Sequence, residues 1–142
     1  MKRKTIMTGR AFHYLLIACA AWVSACSTTP GPAGDTQYRM IDTAEARVQQ
    51  KRGSVFIDLR PRSWYDEGHV PGAINLPYPN FNANSLDSAV GKEQAIVFYC
   101  FGIHCDYSNT ASSKAVAWGY QEVYYYMKGY PAWLEAGYPV EP

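Results

Sequence analysis

The sequence predicts an α/β domain built on a parallel sheet, and three observations carry that prediction. Short apolar runs rich in β-branched and aromatic residues recur at 55–57, 73–76, 96–99 and 123–127. Segments with helix start and stop signals lie between them. No hairpin turn joins any two runs, so the strands are connected by crossovers and lie parallel. A fifth strand fits residues 38–41. The chain has 142 residues, enough for one domain with a real core. A net charge of +1 with 18% charged residues excludes a nucleic-acid partner recruited by a basic surface.

Taken in order, the first helix starts at Asp42, which caps it, with Glu45 three residues on in a capping-box-like pair. It ends at Lys51 and Arg52 followed by Gly53, basic residues in the last turn and glycine just past it. The strand at 55–57 runs into Asp58, Leu59 and Arg60, and Pro61 stops its ladder. Residues 63–67 form a short helical turn closed by Gly68. The turn at 69–72 precedes the strand at 73–76, which Pro77 stops. Residues 79–91 are polar and poorly patterned, a loop with one helical turn at most. The strand at 96–99 follows. A helix then begins at Ser108, with Ser108, Asn109 and Thr110 as N-cap candidates. Ala111, Ala115 and Trp118 share one face with Ala117 beside them, and Gly119 is the stop. The last strand, 123–127, leads to a short helix bracketed by Pro131 and Gly137 and containing Trp133 and Leu134.

The first thirty residues form a targeting segment that stands apart from the fold. Lys2, Arg3, Lys4 and Arg10 make a basic region, and residues 11–23 an apolar one. That apolar stretch falls short of the ~20 residues a bilayer span takes. Val23-Ser24-Ala25-Cys26 then resembles the bacterial lipoprotein lipobox. The resemblance implies removal of residues 1–25 and acylation of Cys26. Several acyl chains anchor stably where one is marginal. Cys19 fits the pattern more loosely, because cleavage there would leave an apolar terminus. Residues 26–36 are polar and rich in Pro and Gly, a flexible tether. Ser27 after the cysteine implies, by lipoprotein-sorting analogy, the outer membrane and a periplasm-facing domain. Cys100 and Cys105 are then the free thiols of the mature protein, in an oxidising compartment.

Chemistry concentrates where the strand at 96–99 ends. Cys100 sits at its carboxyl end, on a loop leading to a helix N-terminus. Ligands bind there in open α/β sheets. Unpaired N–H groups and the positive end of the helix dipole favour an anion, and a thiolate over a thiol. A buried core cysteine is the competing reading. The place of Cys100 after the strand, rather than inside it, argues for the reactive one.

Three pieces in order resemble a rhodanese-like domain: FIDLRPRSWYDEGHVPGAINLP from Phe56, VFYC ending at Cys100, and GYQEVYYYMKGYPAWLEAGYPV from Gly119. The resemblance covers residues 37–142. It implies a single domain with a five-stranded parallel sheet flanked by helices. It also implies that Cys100 accepts sulfane sulfur as a persulfide, from a small sulfur donor and for a thiol acceptor, without a cofactor and as a monomer. A non-catalytic binding module is the weaker implication.

The loop departs from the commonest family pattern. Cys100, Phe101, Gly102, Ile103, His104, Cys105, Asp106 and Tyr107 make eight residues before Ser108, where six are typical. None is Lys or Arg, which puts thiosulfate in doubt as a donor and weakens the related phosphatase and arsenate-reductase readings. The backbone from Phe101 to Ser108 forms the expected anion cradle, with Phe101 and Tyr107 at its mouth. Cys105 reads as a resolving thiol able to attack a sulfur species on Cys100. A space-filling hydrophobe is the alternative. A Cys100–Cys105 disulfide as the working state of a thiol redox protein is the rival function. A metal held by Cys100, His104 and Cys105 has a spacing unlike zinc motifs and is not expected. His104 serves either as a nearby cation or as a solvated loop residue. Asp58 and Arg60 fix the loop after the second strand, Gly72 serves a turn, and Glu67 and His69 match family positions without a catalytic role.

Overall fold

The computed structural model describes residues 37–142. The targeting segment, lipidation site Cys26 and tether expected from the sequence all lie outside the described residues. The elements follow the order β1 (Arg39–Ile41), α1 (Thr43–Arg52), β2 (Val55–Asp58), α2 (Arg62–Glu67), β3 (Ile74–Asn75), a 3-10 turn (Tyr78–Asn80), α3 (Ala83–Ala89), β4 (Ile96–Tyr99), α4 (Tyr107–Ala117), β5 (Val123–Tyr126) and α5 (Gly129–Glu135). The five strands form one sheet in the order β1-β5-β4-β2-β3, and every pairing is parallel.

Strand β4 lies at the centre, and all four of its residues are buried. Its alternation sends Ile96 and Phe98 to one face and Val97 and Tyr99 to the other. On the first face Leu86 of α3 and Ala111 and Ala115 of α4 complete the core. On the second, Ala46 of α1 and Trp133 of α5 do so. Helix α4 buries Ser108, Ala111, Ser112 and Ala115, so only small side chains separate it from the sheet. Ala117 is exposed, outside the face expected for it.

The order of strands reverses between β2 and β4. From β2 the chain moves to β3 on one side, and from β4 to β5 on the other. Loops leaving the carboxyl ends of β2 and β4 therefore part and leave a crevice, where α/β sheets bind ligands. Cys100 directly follows β4, so the topology brings it there.

Helix α1 has the expected ends. Asp42 accepts from the Glu45 amide, and Gly53 takes a positive φ of 85° at the stop. The Glu45 carboxylate pairs with Arg39. Two other expectations are corrected. Residues 79–91 hold the 3-10 turn and the two-turn helix α3, closed by a reciprocal capping box between Asn82 and Ser85. Its sequence ANSLDSA sets four weak helix formers, Asn84, Ser85, Asp87 and Ser88, around one buried residue, Leu86, so no periodicity announces it. Helix α4 starts at Tyr107, one residue early, and its N-cap position is Asp106 rather than Ser108, Asn109 or Thr110. The Asp106 backbone is already helical, so its carboxylate accepts from the side chains of Asn109 and Thr110.

The core tyrosines make stability sensitive to alkali. Burial pushes the Tyr126 phenol up to about 12, partly opposed by its hydrogen-bonding contact with the Thr43 hydroxyl. Burial also raises Tyr99 and Tyr120, each helped by a carboxylate, Asp58 and Asp87. An unfolded tyrosine ionises near pH 10 while these stay protonated, so the native state holds more protons above that pH. Stability is therefore complete below about pH 10 and falls as pH climbs through about 12, with Tyr126 accounting for roughly 2–3 kcal/mol. Urea midpoints between about pH 8 and pH 11 should decline, and Tyr126→Phe should flatten the decline.

Candidate functional site

Cys100 leaves β4 only 1% exposed and is joined to Cys105 by a disulfide, with their Cα atoms 6.3 Å apart. Cys100 is as buried as a core cysteine, although it lies just past the end of the strand. Between the two sulfurs the loop curls tightly. The Cys105 amide donates to the Gly102 carbonyl at 2.9 Å, and Gly102 has a φ of 119°, open to glycine alone.

A second segment, after β5, holds this loop in place. The Tyr130 amide donates to the Cys100 carbonyl at 3.0 Å. Gly129 makes that approach possible. Its φ is 60°, and a Cβ there would collide with the Cys100 carbonyl oxygen and lie 2.7 Å from the Gly102 nitrogen. A Cβ on Gly102 would in turn stand 3.0 Å from the Lys128 carbonyl oxygen. The two backbones fit only as glycine against glycine.

Beneath Tyr130 lies a buried ion pair. Asp58, at the end of β2, accepts from the Arg60 backbone amide and from its guanidinium, with Nη2 at 2.6 Å. The pair is 0% and 2% exposed. Arg60 also donates to the Gly68 carbonyl and lies 4.0 Å from the Tyr130 ring centre. Burial opposes the Arg60 charge, but the hydrogen bond and charge of Asp58 outweigh it and raise its pKa. The expected anchoring role of Asp58 and Arg60 thus extends to the support of Tyr130. His69 stacks on Tyr65 at 3.7 Å, and its Nδ1 lies 3.0 Å from the Tyr65 carbonyl oxygen.

An open cleft of about 770 Å³ lies over the loop. Phe101, Gly102, Ile103, His104, Cys105, Asp106 and Tyr107 line it on one side. Ser108 does not, because its side chain is buried on the inner face of α4. Cys100 does not line it either. The opposite wall comes from Lys128, Pro131, Ala132 and Glu135, none of which sequence reasoning placed at the site. Their only signal is Lys128-Gly129-Tyr130-Pro131, a positive-φ glycine ahead of a helical proline. Tyr107 stacks on Tyr78 with ring centres 4.2 Å apart, and Phe101 meets Trp64 edge-on at 5.3 Å. Among the described residues no group of three or more His, Cys, Asp and Glu is placed to hold a metal ion.

This arrangement has one buried and one half-buried cysteine on a loop at the sheet's switch point. The profile of the rhodanese-like domain matches residues 40–136. The chain belongs to the rhodanese-like domain family. This rhodanese-like chain is 36% identical over 102 residues to the HTH-type transcriptional regulator Rv0324 of Mycobacterium tuberculosis. That match takes in 71% of the chain but only 44% of the regulator. It is 26% identical over 106 residues to the thiosulfate sulfurtransferase GlpE of Pseudomonas fluorescens, across 75% of the chain and 93% of the relative. The crystal structure of the BH2092 protein from Bacillus halodurans superposes with a TM-score of 0.64 at 27% identity, covering 74% of this chain and 77% of that one.

The packing of Gly129 can be tested directly. Gly129→Ala should cost about 2–3 kcal/mol, from left-handed strain plus the clash with the Cys100 carbonyl. Denaturant titration measures it, and a cost below about 0.5 kcal/mol would mean that the two loops separate freely.

Proposed function

We propose that this protein is a sulfurtransferase-like carrier that takes sulfane sulfur onto Cys100 as a persulfide and releases it through Cys105. Membership of the rhodanese-like family and likeness to the sulfurtransferase GlpE support such activity at family level. The observation that carries the finer reading is the pairing of Cys105 with Cys100 across a loop at the carboxyl end of the central strand.

With the pair reduced, the Cys100 thiolate attacks the outer sulfur of a donor R–S–SH. A new S–S bond forms at Cys100, the donor's S–S bond breaks, and RS⁻ leaves. The Cys105 thiolate then attacks Cys100 Sγ. The disulfide closes and HS⁻ departs. Alternatively, an acceptor thiolate takes the outer sulfur and leaves Cys100 as thiolate. The closed disulfide regains its two thiols by accepting two electrons and two protons from a thiol reductant.

The charge around the cleft favours a donor other than thiosulfate. Lys128 stands against Asp106 and Glu135, so the lining presents no excess of cations to a dianion. The second reading, a thiol redox protein that carries no sulfur, is favoured by the disulfide itself. The anchoring proposal stands beside both: acylation of Cys26 would hold the domain at a membrane facing the periplasm, through the tether.

Loading and release of radiolabelled sulfane sulfur separate these readings. Cys100→Ser should abolish loading, and Cys105→Ser should load normally but release slowly. Normal loading by Cys100→Ser would sink the carrier, and a wild-type protein that never loads would leave the redox reading. Thiosulfate should load the wild type at least roughly tenfold more slowly than a neutral persulfide. For the anchor, Cys26→Ser should shift the protein out of the membrane fraction. A membrane-bound, fully processed variant would exclude acylation there.

A further inference from the structure

We infer that the closed site is opened through Cys105: an external thiolate attacks Cys105 Sγ from the cleft and expels Cys100 as the thiolate. The inference deepens the carrier reading, on which it rests for what the freed Cys100 then does. Substitution at a disulfide sulfur needs the nucleophile on the side opposite the leaving sulfur. Cys105 is partly exposed and lines the 770 Å³ cleft, whereas Cys100 is 1% exposed and lines none of it. A nucleophile reaching Cys100 would have to come from the interior, where β4 and the Tyr130 segment pack. One that reaches Cys105 comes through the cleft that this half-buried residue lines.

The step balances without any further reagent. RS⁻ forms a bond to Cys105 Sγ, the Cys100–Cys105 bond breaks, and its electron pair leaves on Cys100. A second RS⁻ then attacks the mixed disulfide, releasing RSSR and the Cys105 thiolate. Both electrons come from two molecules of a thiol reductant able to enter the cleft. The first step leaves Cys100 free, as the carrier chemistry requires, while Cys105 is still blocked by R. Sulfur could thus be loaded before the resolving thiol is restored. Lys128 stands on the wall facing the loop, so an incoming thiolate meets a cation there, partly offset by Glu135 and Asp106.

The test uses the whole protein, with its pair closed by diamide. Mercaptoethanesulfonate, an anionic thiol, is added and the reaction is quenched with acid at short times. Free thiols are then blocked with N-ethylmaleimide. Trypsin leaves both cysteines in one peptide, because no Lys or Arg lies between Lys92 and Lys114, and fragmentation between them places each label. The expected species carries the thiol on Cys105 and maleimide on Cys100. The reverse labelling overturns the inference, as does failure of diamide to close the pair. A rate measurement decides even when no adduct accumulates. Lys128→Glu should slow opening by mercaptoethanesulfonate relative to opening by the cationic thiol cysteamine, on the order of tenfold. An unchanged ratio overturns approach through this cleft. Neither readout uses a sulfur donor. A protein that opens through Cys105 but never loads sulfur sinks the carrier alone, and one that loads sulfur but opens at Cys100 sinks this inference alone.

Discussion

The buried pair of Asp58 and Arg60 is the constraint on which the site depends. Moving either charge out of water costs several kcal/mol, and only close hydrogen-bonded geometry offsets that. The geometry is present. Asp58 accepts from Arg60 at three nitrogens, and the same guanidinium reaches the Gly68 carbonyl and lies against Tyr130. A lysine could not make these contacts together, because it lacks the planar fork. The consequence passes outward by direct contact. Arg60 supports Tyr130, whose amide holds the Cys100 carbonyl, and Asp58 itself pairs in register with Tyr99, the residue before Cys100. The cysteine loop is thereby tied to β2 and to the segment after β5 at once.

That tie explains why the position of Cys100 misleads when judged along the chain alone. A residue just past a strand is expected to emerge into solvent. Here two other segments close over it, so Cys100 is as buried as the strand it follows. Burial of Cys100 fits the proposed chemistry because its disulfide partner, Cys105, is only half-buried. The difference in exposure between the two cysteines arises from packing across the sheet.

What the sequence makes legible follows the same logic. Strands β2, β4 and β5 announce themselves as apolar runs, and α1 by its Asp42 cap and Gly53 stop, because those signals are local. Parallel pairing follows from the lack of hairpins. Helix α3 was not legible, since Asn82 and Ser85 cap a segment with a single buried residue and no period. At the site, the cysteine loop was legible as chemistry next to a strand end. Its far wall was not. Lys128 and Glu135 lie 28 and 35 positions beyond Cys100, and only the adjacency of β4 and β5 brings them across.

The wall changes the electrostatic argument in a specific way. Taken alone, the loop holds no Lys or Arg and carries Asp106, so its backbone cradle offers a dianion little cationic help. The fold supplies one cation from outside the loop, Lys128, and with it a second carboxylate, Glu135. The resulting cleft has separated charges of both signs rather than a field of one sign. Such a lining discriminates by where a ligand carries its charges, and not by how much charge it carries. A compact dianion gains from Lys128 only what it loses near the two carboxylates. On the proposed opening step, a thiol with its ionic groups set apart from the sulfur can place an anionic group by Lys128 and a cationic one by Glu135 while its sulfur meets Cys105. On this surface, selectivity among sulfur compounds would be decided by the body of the molecule that brings the sulfur.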